Sequence, residues 1–460
     1  MLSLGRKKRS LPIWRFTLPF TPLLCAAQNF EPYYFNPFST KGPGIHLHTV
    51  SVSSAVNSGA QGLGLSAAIP TAEKGVVSIV QAAGVLGWAR MGTVSNISVT
   101  YSPSFSRGVS LLNYWSINQA LSVSGGRRLG AKLSLNGSVN LIAMDFNQLL
   151  NGASPLTNLA QTPATFEELS SAVLSGKTAN TQLAALTGST PIVSTPETSF
   201  LYGVRHLSLA SGVTLAYERS TRSAFSLSLS GGRTQVLGEN DRFLAPGLPL
   251  VVQLQRTSNW AAGAGWNYSL TPRDTVSVNL TTSRIVSDYQ NAFVSQATVS
   301  LGRKLSERWF VRGMAGVGFF NPLRESLPQG RFTRHEWGAS VGYKVYAHTF
   351  LGSYTSLVSD IFGLGANSSI SSAGAWSWKL PGHSTSVSSS FGYSQMVGSA
   401  FPNAGSWSVS SGVGQSLNSR TVLSISYRYI RFPQHVFFYS PSNSVNGLTT
   451  SLSWSPSMRE

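Results

Sequence analysis

Large apolar and small polar residues alternate at every second position through much of the chain. In one segment the apolar positions are Leu207, Leu209, Val213 and Leu215, and the residues between them are small or polar. The same period recurs in residues 225–230, 276–281, 337–345, 423–429 and 448–454. A two-residue period is typical of β-strands with one apolar face. We therefore predict a chain built from serial amphipathic strands.

The connections between these segments alternate in length. Short polar turns lie near residues 125–130, 219–222, 270–274, 304–308, 347–348, 381–383 and 418–420. Longer irregular segments lie around 146–203, 238–252, 321–332, 359–368, 397–405 and 433–445. Short turns at one end and long loops at the other predict an up-and-down meander. We count 16 predicted strands between residue 93 and Trp454. The segments 45–57 and 76–89 alternate less regularly, and they would bring the count to 18.

The composition narrows the class of all-β protein. Only 11% of the 460 residues are charged, against about 25% in soluble proteins. The longest apolar stretch, Val76 to Ala89, is interrupted by Gln81 and falls short of the ~20 residues of a membrane-spanning helix. A soluble β-sandwich would carry Lys and Glu on its polar face, whereas the polar positions here are mostly Ser, Gly, Thr and Asn. The pattern favours a transmembrane barrel with its apolar face towards lipid.

The N-terminus has the features of a secretory leader. Five basic residues lie within the first 15 positions, followed by an apolar run from Phe16 to Leu24 and the small residues Cys25, Ala26 and Ala27. This order predicts a signal peptide over residues 1–27. The rest divides into a short N-terminal arm (28–44), a barrel (45–456) and a tail (457–460). Cleavage would leave a chain without cysteine, which excludes disulfides and thiolate metal sites.

Aromatic residues cluster near the strand ends, as interfacial girdles require; they are Trp88, Tyr101, Trp115, Tyr217, Trp260, Trp266, Trp309, Trp337, Trp376, Trp378 and Trp454. With the leader, the strands and the alternating connections, residues 45–456 resemble bacterial outer-membrane β-barrel proteins of the porin-like class. The resemblance identifies no particular family. It implies an all-β, transmembrane, up-and-down antiparallel β-barrel of 16 to 18 strands. One departure is that six residues follow Trp454, where the class usually ends on an aromatic residue.

This class implies a bacterial outer-membrane location, reached by secretion through the inner membrane. The expected partners are outer-membrane lipid and lipopolysaccharide, the barrel-assembly machinery, and small polar or anionic solutes; a homo-oligomer is also compatible with the sequence. The formal charge of +18 is dispersed outside the leader, so we expect no nucleic-acid partner.

Residues 146–203 interrupt the rhythm of strands. Thr162 and Pro163 could open a helix, with Thr165 and Glu168 spaced as a capping box, and Phe166 to Leu174 then forms a short helical element. The favoured interpretation is an exposed loop at the cell surface. The alternative is a loop that folds into the lumen and narrows it.

Candidate catalytic and metal-binding patterns are weak. Residues 338–342 match the nucleophile-elbow pattern G-x-S-x-G around Ser340, but they lie within a strand, where that pattern has no function. His46 and His48 share a strand face without a nearby third ligand. No pair of carboxylates is spaced for acid and base catalysis. We therefore expect neither an enzyme nor a metal or cofactor site.

Charged side chains on the small-polar face are the candidate functional residues. By parity, Arg312, Lys344 and Arg428 point inward, as do Lys132 and His206. Inward cations favour anions in a pore. Alternatively, these cations lie at the barrel rim or pair with Glu218 and Glu336.

The sequence thus predicts a passive, water-filled pore for small polar solutes with a leaning towards anions, because a barrel of this size encloses an aqueous channel. The candidate pore-lining residues are Arg312, Lys344, Arg428, Lys132, His206 and Glu218. Two alternatives remain open: an exporter barrel for an anionic exopolysaccharide, and a closed structural or surface-interaction barrel that acts through its loops.

Overall fold

A computed structural model describes most of the predicted barrel. The described residues are 45–59, 76–108, 115–145, 166, 170, 173–174, 205–237, 256–287, 290–325, 330–360, 366–382, 384–397, 405–432 and 443–456. The predicted leader, the N-terminal arm and the tail lie outside them, as does most of the 146–203 insert. Among the described residues, no helix is both long and apolar enough to cross a membrane.

Eighteen strands form one antiparallel sheet. They are β1 (Ile45–Gly59), β2 (Val76–Met91), β3 (Ser95–Gly108), β4 (Trp115–Arg128), β5 (Leu133–Asp145), β6 (Arg205–Ser220), β7 (Ser223–Val236), β8 (Arg256–Ser269), β9 (Asp274–Ser287), β10 (Gln290–Ser306), β11 (Trp309–Glu325), β12 (Phe332–Val345), β13 (His348–Asp360), β14 (Ala366–Lys379), β15 (Thr385–Val397), β16 (Gly405–Ser416), β17 (Thr421–Phe432) and β18 (Asn443–Trp454).

The sheet closes on itself, because β1 pairs with both β2 and β18. Every other strand pairs with its neighbours in the sequence. The predicted up-and-down antiparallel barrel is confirmed, at the upper end of the predicted strand number. The two less regular segments near the N-terminus are therefore full strands. A bulge between Leu47 and Thr49 explains why the alternation is irregular in β1, since a bulge shifts the parity of the side chains.

The connections define two ends of the barrel. Each even-numbered strand from β2 to β16 is joined to the next strand by a short turn of two to five residues. We call the end of the barrel that carries these turns the turn end. The opposite end, called the loop end, carries the longer connections, including residues 146–204 between β5 and β6. One connection at the loop end is short, because only residues 288–289 separate β9 from β10.

The two faces of the wall differ in chemistry. Apolar side chains point out and are exposed, for example Leu229 at 66% and Leu227 at 58%. Small polar residues point in, and Ser208 and Ser300 are each only 4% exposed. This is the reverse of a soluble barrel, whose apolar side chains fill the interior, and it is the arrangement of a barrel surrounded by lipid.

Aromatic side chains occupy the outer face near both ends. At the turn end, the rings of Trp309 and Tyr343 stack with their centroids 4.0 Å apart. Towards the loop end, Trp337 stacks on Tyr354 at 4.5 Å. Amphipathic rings at two heights are typical of the two membrane–water interfaces.

Candidate functional site

The inner wall is lined by hydroxyl groups that bond to one another across neighbouring strands. Five such pairs have oxygen–oxygen distances of 2.6 or 2.7 Å: Ser98–Ser124, Ser277–Ser300, Thr355–Ser371, Ser390–Ser410 and Ser424–Ser451. Each pair joins directly opposed residues of adjacent strands, on the face opposite the exposed apolar side chains. At these positions the lining is therefore polar and uncharged.

Part of the 146–203 insert lies inside the barrel. The structure describes Phe166, Ser170, Val173 and Leu174, which are helical and buried. Their spacing of four, seven and eight residues places them on one face of a helix. The Thr275 hydroxyl near the turn end of β9 donates a hydrogen bond of 2.8 Å to the backbone carbonyl of Leu174. Because the insert leaves and re-enters the wall at the loop end, its chain reaches almost the full height of the lumen.

An apolar patch on the inner wall receives this helical face. Phe310, Leu351, Ala373 and Ala375 form one buried cluster with the apolar insert residues. The rings of Phe166 and Phe310 lie 5.5 Å apart. A residue larger than glycine at Gly342 would occupy the place of the Phe310 ring. At the four described positions the insert is thus inside the lumen, and the interpretation as an exposed surface loop is wrong there.

A second element enters the lumen from the loop end. Strand β13 leaves its partner β12 after the pair Trp337–Ser356, although it stays paired with β14 as far as Asp360. Beyond that point Val358 contacts residues of β10, β11 and β12. Strands β10 and β13 are three positions apart, or about 14 Å along the sheet. The end of β13 must therefore cross over the inner wall; we call residues 357–360 the infold.

Two inward side chains hold the infold by its backbone. The Gln296 side-chain amide donates to the carbonyl of Val358 at 2.7 Å, and Glu336 Oε1 accepts from the Val358 backbone N–H at 2.9 Å. Gln296 also donates to the same Glu336 oxygen at 2.9 Å. Together they replace the ladder hydrogen bonds that β13 loses when it leaves β12. We call this set the latch.

The side chain of Val358 completes the contact. It is 3% exposed and packs with Ile285, Ala292, Val294 and Phe320 on the inner wall. Phe332 packs against this cluster, with its ring 5.1 Å from that of Phe320. Space for Val358 exists because residue 318 is a glycine: a Cβ there would lie 2.7 Å from the Val358 Cγ2.

Arg312 and Arg428 lie on the inner face of the wall, as their parity predicts. Arg312 is 6% exposed, and its Nε and Nη2 donate to the Ser300 hydroxyl at 3.2 and 3.1 Å. It lies one inward position from Phe310, beside the insert. Arg428 is opposed by Ser410 and Gly447 in its strand pairs and is half-buried.

The other candidates lie at the ends of strands. Lys132 is in the β4–β5 turn, exposed, and its Nζ donates to the Arg219 carbonyl at 3.4 Å. Glu218 is near the turn end of β6, where its N–H donates to the Lys132 carbonyl at 2.8 Å. Lys344 is the next-to-last residue of β12. These three positions are at the rim, so the structure does not bring the six candidates together into one ring.

His206 lies at the loop end of β6, opposite Val236 and Met144. It is the remaining candidate, and its role as a pore-lining residue stays a prediction. Glu336, which the sequence offered as a partner for inward cations, instead accepts its hydrogen bonds from Gln296 and Val358.

The weak chemical patterns gain no support from geometry. Ser340 lies within β12 and is opposed by Arg312 and Ser353. His48 is buried in the β1 bulge against Gly87. Within the ranges that the structure describes, no three potential metal ligands come together.

The sequence reasoning missed the infold, the latch and the apolar patches on the inner wall. A signal for the patches was present: Phe310 and Phe320 share the parity of Arg312, so large apolar residues occupy a face that is elsewhere small and polar. An apolar residue on the lumen face predicts a covering element inside the barrel. The sequence gives no comparable signal for the departure of β13 from β12, because residues 353–360 continue a normal strand pattern.

No known protein family matches the sequence, and no curated protein matches it either. Solved structures from Pseudomonas aeruginosa are similar over most of the chain. OccK2 (OpdF) is 10% identical, covers 90% of this chain and 100% of its own, and has a TM-score of 0.48. OccK2 in complex with glucuronate is 11% identical, with coverage of 91% and 100% and a TM-score of 0.46. OccK9 (OpdG) is 12% identical, with coverage of 89% and 98% and a TM-score of 0.45.

These similarities concern the fold. The barrel itself follows from the strand pairing of this chain, and the predicted resemblance to outer-membrane β-barrels is confirmed at that level.

Proposed function

We propose that this chain forms a passive pore for small polar solutes in the bacterial outer membrane, with a preference for anions. The observation that carries this proposal is the closed 18-stranded wall with exposed apolar side chains outside and paired hydroxyls inside. Such a wall is stable in lipid, and at this strand number it encloses space for water and solutes.

The preference for anions rests on the inward arginines. Arg312 and Arg428 lie among the small polar side chains of the inner wall, and Glu336 is covered by the infold. A cation on a lumen wall attracts anions and repels cations at short range. Of the two, Arg428 is the more exposed, so we expect it to act on passing solutes.

The decisive experiment is conductance of the folded protein in planar bilayers, with the reversal potential measured across a salt gradient. Stepwise openings with anion selectivity are expected. Arg428→Ser should shift the reversal potential towards cation selectivity. Arg431→Ser is the matched control, because Arg431 is on the same strand with its exposed side chain on the outer face, and it should leave the potential unchanged.

A second candidate function is a closed or partner-gated barrel, either acting through its loops or exporting an anionic polymer. The insert and the infold favour it, because both occupy the lumen. Inner-wall residues of β3, a strand that is not adjacent in the sheet to any strand of the latch, are also buried, such as Ser102, Ser104 and Ser106 at 4% or less. A barrel shown to be folded by its heat-modifiable gel mobility, but without conductance, would refute the open pore and support this candidate.

The route to the membrane is part of the same proposal. We propose that residues 1–27 are removed during export and that the barrel-assembly machinery inserts the remainder. N-terminal sequencing of the protein from an outer-membrane fraction should then begin at Gln28.

A further inference from the structure

Three arginines form a group on the outer face at the loop end of consecutive strands. Arg233 on β7, Arg256 on β8 and Arg284 on β9 are all exposed. Arg233 has the parity of Leu229, which points outward. On β8, Arg256 lies four residues from the exposed, outward-facing Trp260 and therefore points outward too. On β9, Arg284 lies four residues from the exposed, outward-facing Leu280 and also points outward. All three side chains therefore leave the outer surface of the wall; we call them the outer arginine group.

The strand register places these residues close together. Arg233 is opposed by Ser258, two residues from Arg256, and such a diagonal pair is separated by about 7–8 Å. Arg284 lies on the next strand, β9, and is opposed by Trp260 of β8. Trp260 is two residues closer to the turn end than Ser258. The Cα of Arg284 is then about 12 Å from that of Arg233. Arginine side chains are long enough to converge on one ligand across such spacings.

Within the described part of the chain, no acidic side chain neutralises the charge of this group. Among the side chains that the structure describes, none that faces outward at the loop end is acidic. Arg284 contacts neutral groups: its Nε donates to Asn291 Oδ1 at 3.1 Å, and its guanidinium lies 5.8 Å from the centre of the Phe293 ring. These contacts orient the guanidinium and leave its charge available to an anion.

The height of the group on the wall indicates the kind of anion. Trp260, 54% exposed, lies beside Arg284 and below Arg233 and Arg256, and the apolar band with Leu229, Leu280 and Val299 follows below it. Tryptophan marks the boundary between hydrocarbon and headgroups, so the guanidinium groups lie at headgroup level. Guanidinium binds phosphate oxygens in pairs.

We propose that the outer arginine group binds the phosphates of an anionic lipid in the leaflet at the loop end. If the barrel sits in the outer membrane with its loops outward, that lipid is the phosphorylated glycolipid of the outer leaflet. The inference goes beyond the proposed pore, because it concerns the outer face and would hold for an open or a closed barrel.

The test is native mass spectrometry of the purified protein, folded in neutral detergent and titrated with bisphosphoryl lipid A. The combined variant R233S/R256S/R284S should bind the lipid at least about tenfold more weakly, a loss of some 1.4 kcal/mol or more. The matched control is R90S/R127S/R303S, which removes three exposed outward arginines at the turn end and should bind as the unchanged protein does. Heat-modifiable mobility verifies that each variant is folded.

Four outcomes would overturn the proposal. The first is equal binding by the combined variant, and the second is an equal loss in the control. The third is equal binding of dephosphorylated lipid A, which would assign the affinity to the acyl chains. The fourth is displacement of lipid A by excess inorganic phosphate, which would indicate a free-phosphate site rather than a lipid site. Conductance of the same samples is an independent measurement, so a failed pore would not be mistaken for failed lipid binding.

Discussion

Replacing Gln296 by leucine should release the infold from the inner wall. The change removes the amide that donates both to the Val358 carbonyl and to Glu336 Oε1. It leaves the Val358 N–H bond to Glu336 and the apolar contacts of the Val358 side chain in place. The variant therefore tests the latch without disturbing the wall, because leucine keeps a similar side-chain volume at this half-buried position.

The size of the effect follows from the one lost hydrogen bond that joins the wall to the infold, the bond to the Val358 carbonyl. The bond between Gln296 and Glu336 joins two wall residues, so its loss affects the infolded and released states alike. Leaving the Val358 carbonyl buried without its partner should cost the infolded state about 1–3 kcal/mol relative to a released state. Such a loss changes the ratio of the two states by roughly 5-fold to 150-fold.

Single-channel recording measures this ratio directly. A released infold widens the lumen near the loop end, so Gln296→Leu should spend far more time in a level of higher conductance. Asn279→Leu is the matched control: it makes the same polar-to-apolar change at an inward position of β9 outside the latch. Identical dwell times in Gln296→Leu and the unchanged protein would contradict this account of the latch.

A crosslink gives the opposite perturbation. A Cβ at position 318 would lie 3.0 Å from that of Val358, so a shift of less than 1 Å reaches disulfide geometry. The only native cysteine, Cys25, lies in the predicted leader. Oxidised Gly318→Cys/Val358→Cys should lose the larger conductance level and regain it on reduction, and each single variant should be insensitive to reductant.

Three further changes test the lumen and the wall. Phe310→Ala should weaken the packing of the insert by about 3–5 kcal/mol and raise the mean conductance, whereas Phe350→Ala on the outer face should not. Gly342→Val places methyl groups where the Phe310 ring lies, and protease should then cleave the insert faster in folded barrels. Leu229→Arg in the outer apolar band should destabilise the barrel in bilayers by about 2–4 kcal/mol, seen as a lower urea midpoint. Ser228→Arg, facing inward, should alter conductance and leave that midpoint nearly unchanged.

The architecture was accessible from the sequence because the period of two is a local property. The alternation within a single strand identifies the face that meets lipid. The strand and its orientation can therefore be predicted for segments such as 207–217 without tertiary information. Strand β1 shows the limit of this reasoning, because its bulge between Leu47 and Thr49 shifts the parity. The parity of Arg312 and Arg428 was sufficient to place them on the inner wall.

The interior could be predicted only in part, because it depends on contacts between distant segments. The helical spacing of the insert was visible, but its partner Phe310 lies on β11, far away in the sequence. Lys132 shows a different limit. The turn begins at residue 129, four residues later than the polar pattern suggests, and this places a predicted lumen cation at the rim. The latch joins β10, β12 and β13 and has no local signature at all.

The paired hydroxyls of the inner wall have a consequence for how selectivity could evolve. In each pair, such as Ser424 and Ser451, either oxygen can be the donor, and the hydroxyl hydrogens rotate to suit a neighbour. Such a lining behaves as a set of reorientable dipoles that solvates either sign of ion without preference. Discrimination between ions must then come from the few fixed charges superimposed on it. Exchanging one or two arginines for acids could therefore reverse the selectivity of the barrel while the rest of its interior stays as it is.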